Sequence, residues 1–392
     1  MASLRRFLSL ERNVLTLSLT VLSIAIPWNS WTVVLPLILE ELGATPMDIG
    51  ITYALINLTW YALQFPGGLL ADRYGRKKLI VLPTFTFIVL YLVAGAAWVW
   101  WIAAASLILI NAFGGLQTPS FTSTIAESVD ENHRGRAFAT FGFFVNIGLT
   151  LGPLMGAFLI PLYGYSSLFY ITGIVAAFCG VSRLLFLHET QKHTVSEGAR
   201  TIFPRINRNL VWFLAGCSIF SLAYGMILPL MALYAGPEGV FGFSVEKVEL
   251  MFFVAQFATC LTSIPSGKFL EKIDNRICLM TAFIGTSLSI MIWACSPLQW
   301  VAFTLMTLTY VFYTLFWITY DSFISSLTVP QSRGGVLGIA AIAVGIFTGA
   351  GSAIGSYLWE RYNPILPFLI TGILGLLSAT PLLKIKLPKP KS

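Results

Sequence analysis

Apolar residues along this chain gather into long runs of about twenty positions or more, separated by short polar or Gly/Pro breaks. A helix rises ~1.5 Å per residue, so about twenty residues cross a hydrocarbon layer of ~30 Å. The runs predict twelve such spans, at about 14–39, 47–68, 79–97, 99–126, 138–160, 166–187, 210–234, 246–267, 277–295, 299–326, 335–358 and 362–383. The fold expected is all-α, with twelve transmembrane helices in a lipid bilayer. The run behind Arg5, Arg6 and Arg12 extends from Val14 to Leu39, too long for the apolar part of a signal peptide, and reads as the first span.

The spans repeat. A shift of 199 positions brings Pro66 onto Pro265, Gly68 onto Gly267, Asp72-Arg73 onto Glu271-Lys272, Arg134-Gly135 onto Arg333-Gly334, Gly152 onto Gly351, Gly156 onto Gly355 and Tyr163 onto Tyr362. Around the first helix of each half the shift is 193, matching Leu35-Pro36-Leu37 to Leu228-Pro229-Leu230. The chain therefore reads as a six-helix half over 1–187, a polar central loop over 188–209 and a second six-helix half over 210–392. The two halves are pseudo-symmetric.

Composition agrees: 56% of residues are apolar and 10% charged, against roughly a quarter charged in soluble domains. The net charge of +7 does not point to nucleic acid, because the basic residues lie in short loops and not on one face. An even number of spans puts both termini on one side. If that side is the cytoplasm of a cell membrane, its loops and tails hold 22 of the 24 Lys and Arg, leaving Lys247 and Arg361 outside, as the positive-inside rule requires. Glu40, Glu41, Asp48, Glu238, Glu246, Glu249 and Glu360 then lie outside. Cys179, Cys217, Cys260, Cys278 and Cys295 show no metal-ligand spacing and read as small core residues. There is no GxxxxGK[ST] loop, and His188, His193 and Glu189 sit in a loop without ligand-like partners, so neither ATP coupling, metal, cofactor nor enzymatic chemistry is expected.

Between the second and third spans stands Gly67-Gly68-Leu69-Leu70-Ala71-Asp72-Arg73-Tyr74-Gly75-Arg76-Lys77, with a weaker copy at 265–276. This loop closely resembles the signature of the major facilitator superfamily, and helix count, duplicated halves and central loop extend the resemblance over essentially the whole chain. It implies the major facilitator fold and a conformational latch of Gly68, Asp72, Arg73, Gly75 and Arg76, with Arg76 bridging Asp72 and Glu127 and Asp72 facing the start of the eleventh span at Gly334-Gly335. Gly267, Glu271, Lys272 and Arg276 would form the second copy. An acid near a helix N-terminus meets its positive dipole end. The loop's positive charges would also serve simply to pin topology.

On the fifth span, Gly148, Gly152, Pro153 and Gly156 place small residues at four-residue spacing with a helix-bending proline, which allows close helix packing. This stretch also resembles the family's antiporter motif, which adds weight to export. Exporters of that kind usually carry an arginine on the fourth span where this chain has Asn111 before Gly115. Arg183 lies near enough to the inner end of the sixth span to snorkel. Asp321 is the one acid inside an apolar span, toward the cytoplasmic end of the tenth. It is read either as a gate ion pair with Lys272 or Arg276, or as a protonatable coupling site.

The resemblance places the central cavity among spans one, four, seven and ten. The candidate contacts are Trp28, Asn29, Trp31, Asn111, Gln117, Tyr224, Tyr310, Tyr313, Trp317 and Tyr320, with Asn146 and Gln256 on the fifth and eighth. Aromatic faces with a few amides suit flat apolar solutes or cations. The expectation is a monomeric secondary transporter working by alternating access, exporting lipophilic or aromatic small molecules in exchange for protons. Transport of neutral solutes such as sugars is the alternative, and a non-transporting receptor or lipid-handling protein a third reading.

Overall fold

The computed structural model describes residues 12–190, 208–270, 273–296, 298–327 and 333–385. Among these the chain is all-helical, without a strand. The first half runs through α1 (Arg12–Glu41), α2 (Pro46–Ala62), α3 (Gln64–Tyr74), α4 (Arg76–Gly95), α5 (Trp100–Glu127), α6 (Arg134–Tyr163) and α7 (Ser166–Phe186). The second runs through α8 (Arg208–Ile227), α9 (Met231–Ala235), α10 (Val245–Leu270), α11 (Asn275–Cys295), α12 (Gln299–Leu327), α13 (Arg333–Arg361) and α14 (Leu366–Leu377). Ten of the described helices are long and apolar enough to cross a membrane.

Two spans are broken, each beside a proline. Pro66 has no N–H for Ala62, and its ring crowds that carbonyl, so the second span divides at Leu63 into α2 and α3. Pro229 likewise divides the seventh into α8 and α9. Its counterpart Pro36 stays inside α1, so the repeat is not exact at this point.

The repeat is visible as packing. In the first half α1 lies along α6 and α7, and α4 along α5 and α7. In the second, α8 lies along α13 and α14, and α11 along α12 and α14. These are the same pairings one half later. The chain clusters into two compact units, one of Met1–Ala44, Leu58–Ser196 and Phe243–Phe253, the other of Thr45–Asn57, Glu197–Gly242 and Val254–Ser392. The first turns of α2 and α10 thus belong to the unit built mainly from the other half.

In the first unit, Val14, Leu17, Ile80, Ile125, Ala137 and Leu187 form a closed apolar cluster at the basic end. In the second, Phe213, Phe220, Phe283, Phe316 and Phe323 are fully buried and fill the space around α8 and α12. The five cysteines are free thiols, with Cys179, Cys217 and Cys278 buried.

Candidate functional site

The signature loop turns on Gly75, whose φ of 98° is the left-handed region a side chain resists. That reversal sets the last turn of α3 against the first of α4. Arg76 consequently reaches back to Asp72 at 2.7 Å and across to Glu127, at the end of α5, at 3.3 Å. Burial opposes the guanidinium's charge, but the hydrogen bonds to Asp72 and Glu127 outweigh it and hold the proton more tightly than usual. Glu189, read from sequence as a loop acid without ligand-like partners, accepts from the backbone N–H of Arg76 at 2.9 Å and of Lys77 at 3.1 Å. It fills the N-cap role that Gly75 lacks a side chain to perform. Thr190 donates to Glu127 at 2.7 Å, tying the start of the central loop to the same cluster. The guanidinium of Arg73 lies over the Tyr74 ring. The close approach in α3 is at Gly67, where an added Cβ would lie 2.7 Å from Leu116 Cα; Gly68 only touches Pro119.

Of the second copy, Glu271 and Lys272 lie outside the described residues. Gly267 falls in α10 and Gly334 in the first turn of α13, and the side-chain surroundings of both also lie outside them. Arg276 donates to the Ile385 carbonyl at 3.3 Å, while its N–H is capped by Asp274 at 2.8 Å. Asp321 is exposed near the end of α12. No ion pair joins it to Arg276 among the described residues.

The glycines of the fifth span form one stripe against α1. An added Cβ would lie 2.5 Å from Ala25 Cβ at Gly148, and 2.7 Å from Asn29 Cβ at Gly152. At Gly156 it would strike the side chain of Glu249, on α10, 2.7 Å from its Cδ. Pro153 is buried between them. Asn29 ties the two helices by donating to the Leu149 carbonyl at 2.6 Å. Glu249, counted from sequence among the acids on the outer side, is 0% exposed and lies inside α10.

One correction concerns Arg183. It does not snorkel; it is 2% exposed, donating to Thr20 at 3.0 Å and Thr84 at 2.7 Å, with its guanidinium over Phe121. Gln117 donates to Thr84 at 2.9 Å and to the Ile80 carbonyl, completing a buried knot among α1, α4, α5 and α7. Two threonine hydroxyls accept from the arginine there. Asn111 donates to Leu107 on its own helix, and Asn146 is exposed.

The predicted aromatic contacts separate into two groups. Trp31 is buried against Tyr91 and Phe169 in the first unit, with Trp28 edge-on at 6.3 Å. In the second unit Tyr224 stacks on Tyr313 at 3.9 Å and 11°. Trp317 meets Tyr313 at 6.2 Å and Tyr320 at 5.5 Å, both edge-on. Tyr310, Tyr313, Trp317 and Gln256 keep part of their surface accessible, whereas Tyr224 and Tyr320 are buried behind.

A duplicated set of apolar helices, with the Asp72–Arg76–Glu127 ion pairs at the signature loop, is the architecture of a membrane transporter. The sequence profile of the Major Facilitator Superfamily matches residues 17–246 and 239–392. The chain belongs to that superfamily; it is a multi-pass membrane transporter and not an enzyme. Multidrug resistance protein MdtH of Shigella boydii serotype 4 is 24% identical over 359 residues, covering 88% of this chain and 87% of its own. MdtH of Escherichia coli K12 is 24% identical over 361 residues, with the same coverage. Among solved structures, a bacterial homologue of the lysosomal transporter Spinster, inward-facing and occupied, shares the fold at a TM-score of 0.75 and 16% identity, covering 94% of this chain and 95% of its own. A D-xylose-proton symporter does so at 0.74 and 15%, covering 95% and 97%.

Proposed function

We propose that this transporter exports lipophilic or aromatic small molecules across the cell membrane in exchange for protons, as a monomer with both termini in the cytoplasm. The observation that carries the reading is the aromatic wall of α8 and α12. Tyr310, Tyr313 and Trp317 are half-buried, and Tyr313 and Trp317 stand against a backing of Phe220, Phe283 and Phe316. Such a wall holds flat apolar or cationic solutes through stacking and cation-π attraction, without the fixed cation an anionic substrate demands. The names of the MdtH relatives point the same way.

In this reading the halves 1–187 and 210–392 rock about a midplane cavity. The cluster of Asp72, Arg76 and Glu127 latches the cytoplasmic side, Glu189 holding the turn that presents Arg76. Its salt bridges are partly exposed, so each contributes no more than about 1 kcal/mol. A latch of that strength holds a state and still releases it. Asp321 is the coupling or gate acid of the second half.

The test is uptake of a fluorescent lipophilic cation into proteoliposomes containing the purified protein, with and without an inside-acidic pH gradient. Gradient-driven accumulation is expected. No accumulation, with a control exporter active and downhill flux of a neutral solute present, overturns the export reading in favour of neutral-solute transport.

A further inference from the structure

The acidic end of the first unit holds a carboxyl group that this cycle has not used. Glu249 lies in the second turn of α10, completely buried, and among the described residues neither of its oxygens has a hydrogen-bond partner. It is pressed onto Gly156, the last glycine of the fifth-span stripe, where the backbone has no side chain to keep it away. Among the described residues no salt bridge reaches it. Lys247, two positions earlier, sets its ammonium over the Phe243 ring at 4.9 Å. The other titratable groups around this end are Glu246 on the same helix, Glu40 and Glu41 at the end of α1, and Tyr165 in the turn between α6 and α7. Burial first, and then the acids Glu41, Glu249, Glu40 and Glu246, push the Tyr165 phenol up from its usual range. Among the described residues, then, neither a hydrogen-bond donor nor a salt bridge reaches the Glu249 carboxyl.

An ionised carboxylate with neither donors nor a counter-ion in a dry place costs several kcal/mol, whereas the neutral acid costs far less. The repeat supplies an internal comparison. The 199-residue shift puts Gly50 where Glu249 stands, and in the second unit Gly50 faces the Ser356 side chain, an added Cβ lying 2.7 Å from the Ser352 carbonyl. One copy of this contact closes with glycine and serine. The fold does not need an acid at this position, and in the other copy the chain has one.

We propose that Glu249 is a proton-binding site: neutral while it lies against Gly156 with the eighth and fifth spans packed, and ionised when their outer ends part and water reaches it. This rests on the proton-antiport reading and adds to it the residue through which external pH acts on closure of the outer side. Protonation removes the charge and lets the outer ends close. No covalent bond is made or broken except the O–H of the carboxyl, and the proton is exchanged with water.

The test is hydrogen–deuterium exchange of the full-length protein in lipid nanodiscs, following peptides over 149–160 and 245–253 at about pH 5.5 and about pH 8.5, beside E249Q. Comparing two proteins at one pH cancels the intrinsic exchange chemistry. At the higher pH the unsubstituted protein is expected to exchange roughly tenfold faster than E249Q, at the lower pH equally, and E249D to keep the pH dependence. Equal exchange of the two proteins at both pH values overturns the proposal. Misfolding of E249Q also overturns it, because glutamine is the isostere of the neutral acid and only an ionised Glu249 would be missed. The readout needs neither substrate nor gradient. Glu249-dependent exchange without proton-driven uptake removes the antiport reading and leaves the site, while proton-driven uptake with E249Q exchanging like the unsubstituted protein removes the site alone.

Discussion

Two glycines on one helix, substituted in the same way, should move stability in opposite directions. At Gly152 an added Cβ would stand 2.7 Å from Asn29 Cβ and 2.8 Å from the Ile26 carbonyl, distances at which backbone must move. Overpacking of this kind costs about 1–3 kcal/mol. Parting α1 from α6 also strains the bond from Asn29 to the Leu149 carbonyl, a further ~1 kcal/mol. Against these stands a gain of about 1 kcal/mol in helix propensity. The net loss for Gly152→Ala is roughly 1–3 kcal/mol. At Gly142 an added Cβ meets nothing within 4 Å, so Gly142→Ala keeps only the gain. With roughly 2–4 °C per kcal/mol for a unit of this size, Gly152→Ala should lower the apparent melting temperature in detergent by roughly 2–12 °C, and Gly142→Ala should leave it level or raise it slightly. If Gly152→Ala melts at or above Gly142→Ala, the stripe is not a close-packing surface.

Asp72→Asn should leave folding and insertion intact and raise maleimide labelling of cysteines placed at the cytoplasmic ends of the spans; unchanged labelling removes the latch role. Glu189→Ala uncovers two helix N-terminal N–H groups, and a loss of about 0.5–2 kcal/mol is expected in denaturant titrations, with Glu189→Gln falling between. Arg183→Lys should cost about 1–3 kcal/mol, because one ammonium cannot serve the Thr20 and Thr84 hydroxyls on two helices and also cover Phe121; a melting curve like that of the unsubstituted protein would show the knot to be unimportant. For Asp321→Asn, loss of gradient-driven but not downhill flux marks a coupling acid, and loss of both marks a gate.

The ends of the spans were largely legible because hydropathy and proline are local properties of the chain. What escaped was decided by partners on other helices. Arg183 has the sequence surroundings of a snorkelling residue, and only Thr20 and Thr84, far away in sequence, make its burial affordable. Glu249 lies three residues from Glu246 and reads as part of the same outer acidic cluster, until Gly156 of another helix closes over it. Glu189 looked idle because backbone N–H groups, its actual partners, carry no sequence signal. Gln117 and Asn29 read from sequence as candidate substrate contacts, but the bonds by which they join helices to one another end on carbonyls no pattern displays.

The exchange of helix ends between the compact units also sets a timetable for biosynthesis. The first unit is not finished when Ser196 has been made, because it includes Phe243–Phe253. At about 5–20 residues per second a ribosome takes roughly 3–12 s to supply that missing piece. Throughout that interval the Gly156 end of the glycine stripe must be covered by lipid or by the insertion machinery, so the nascent protein is most open to mispairing and quality control just before its eighth span arrives.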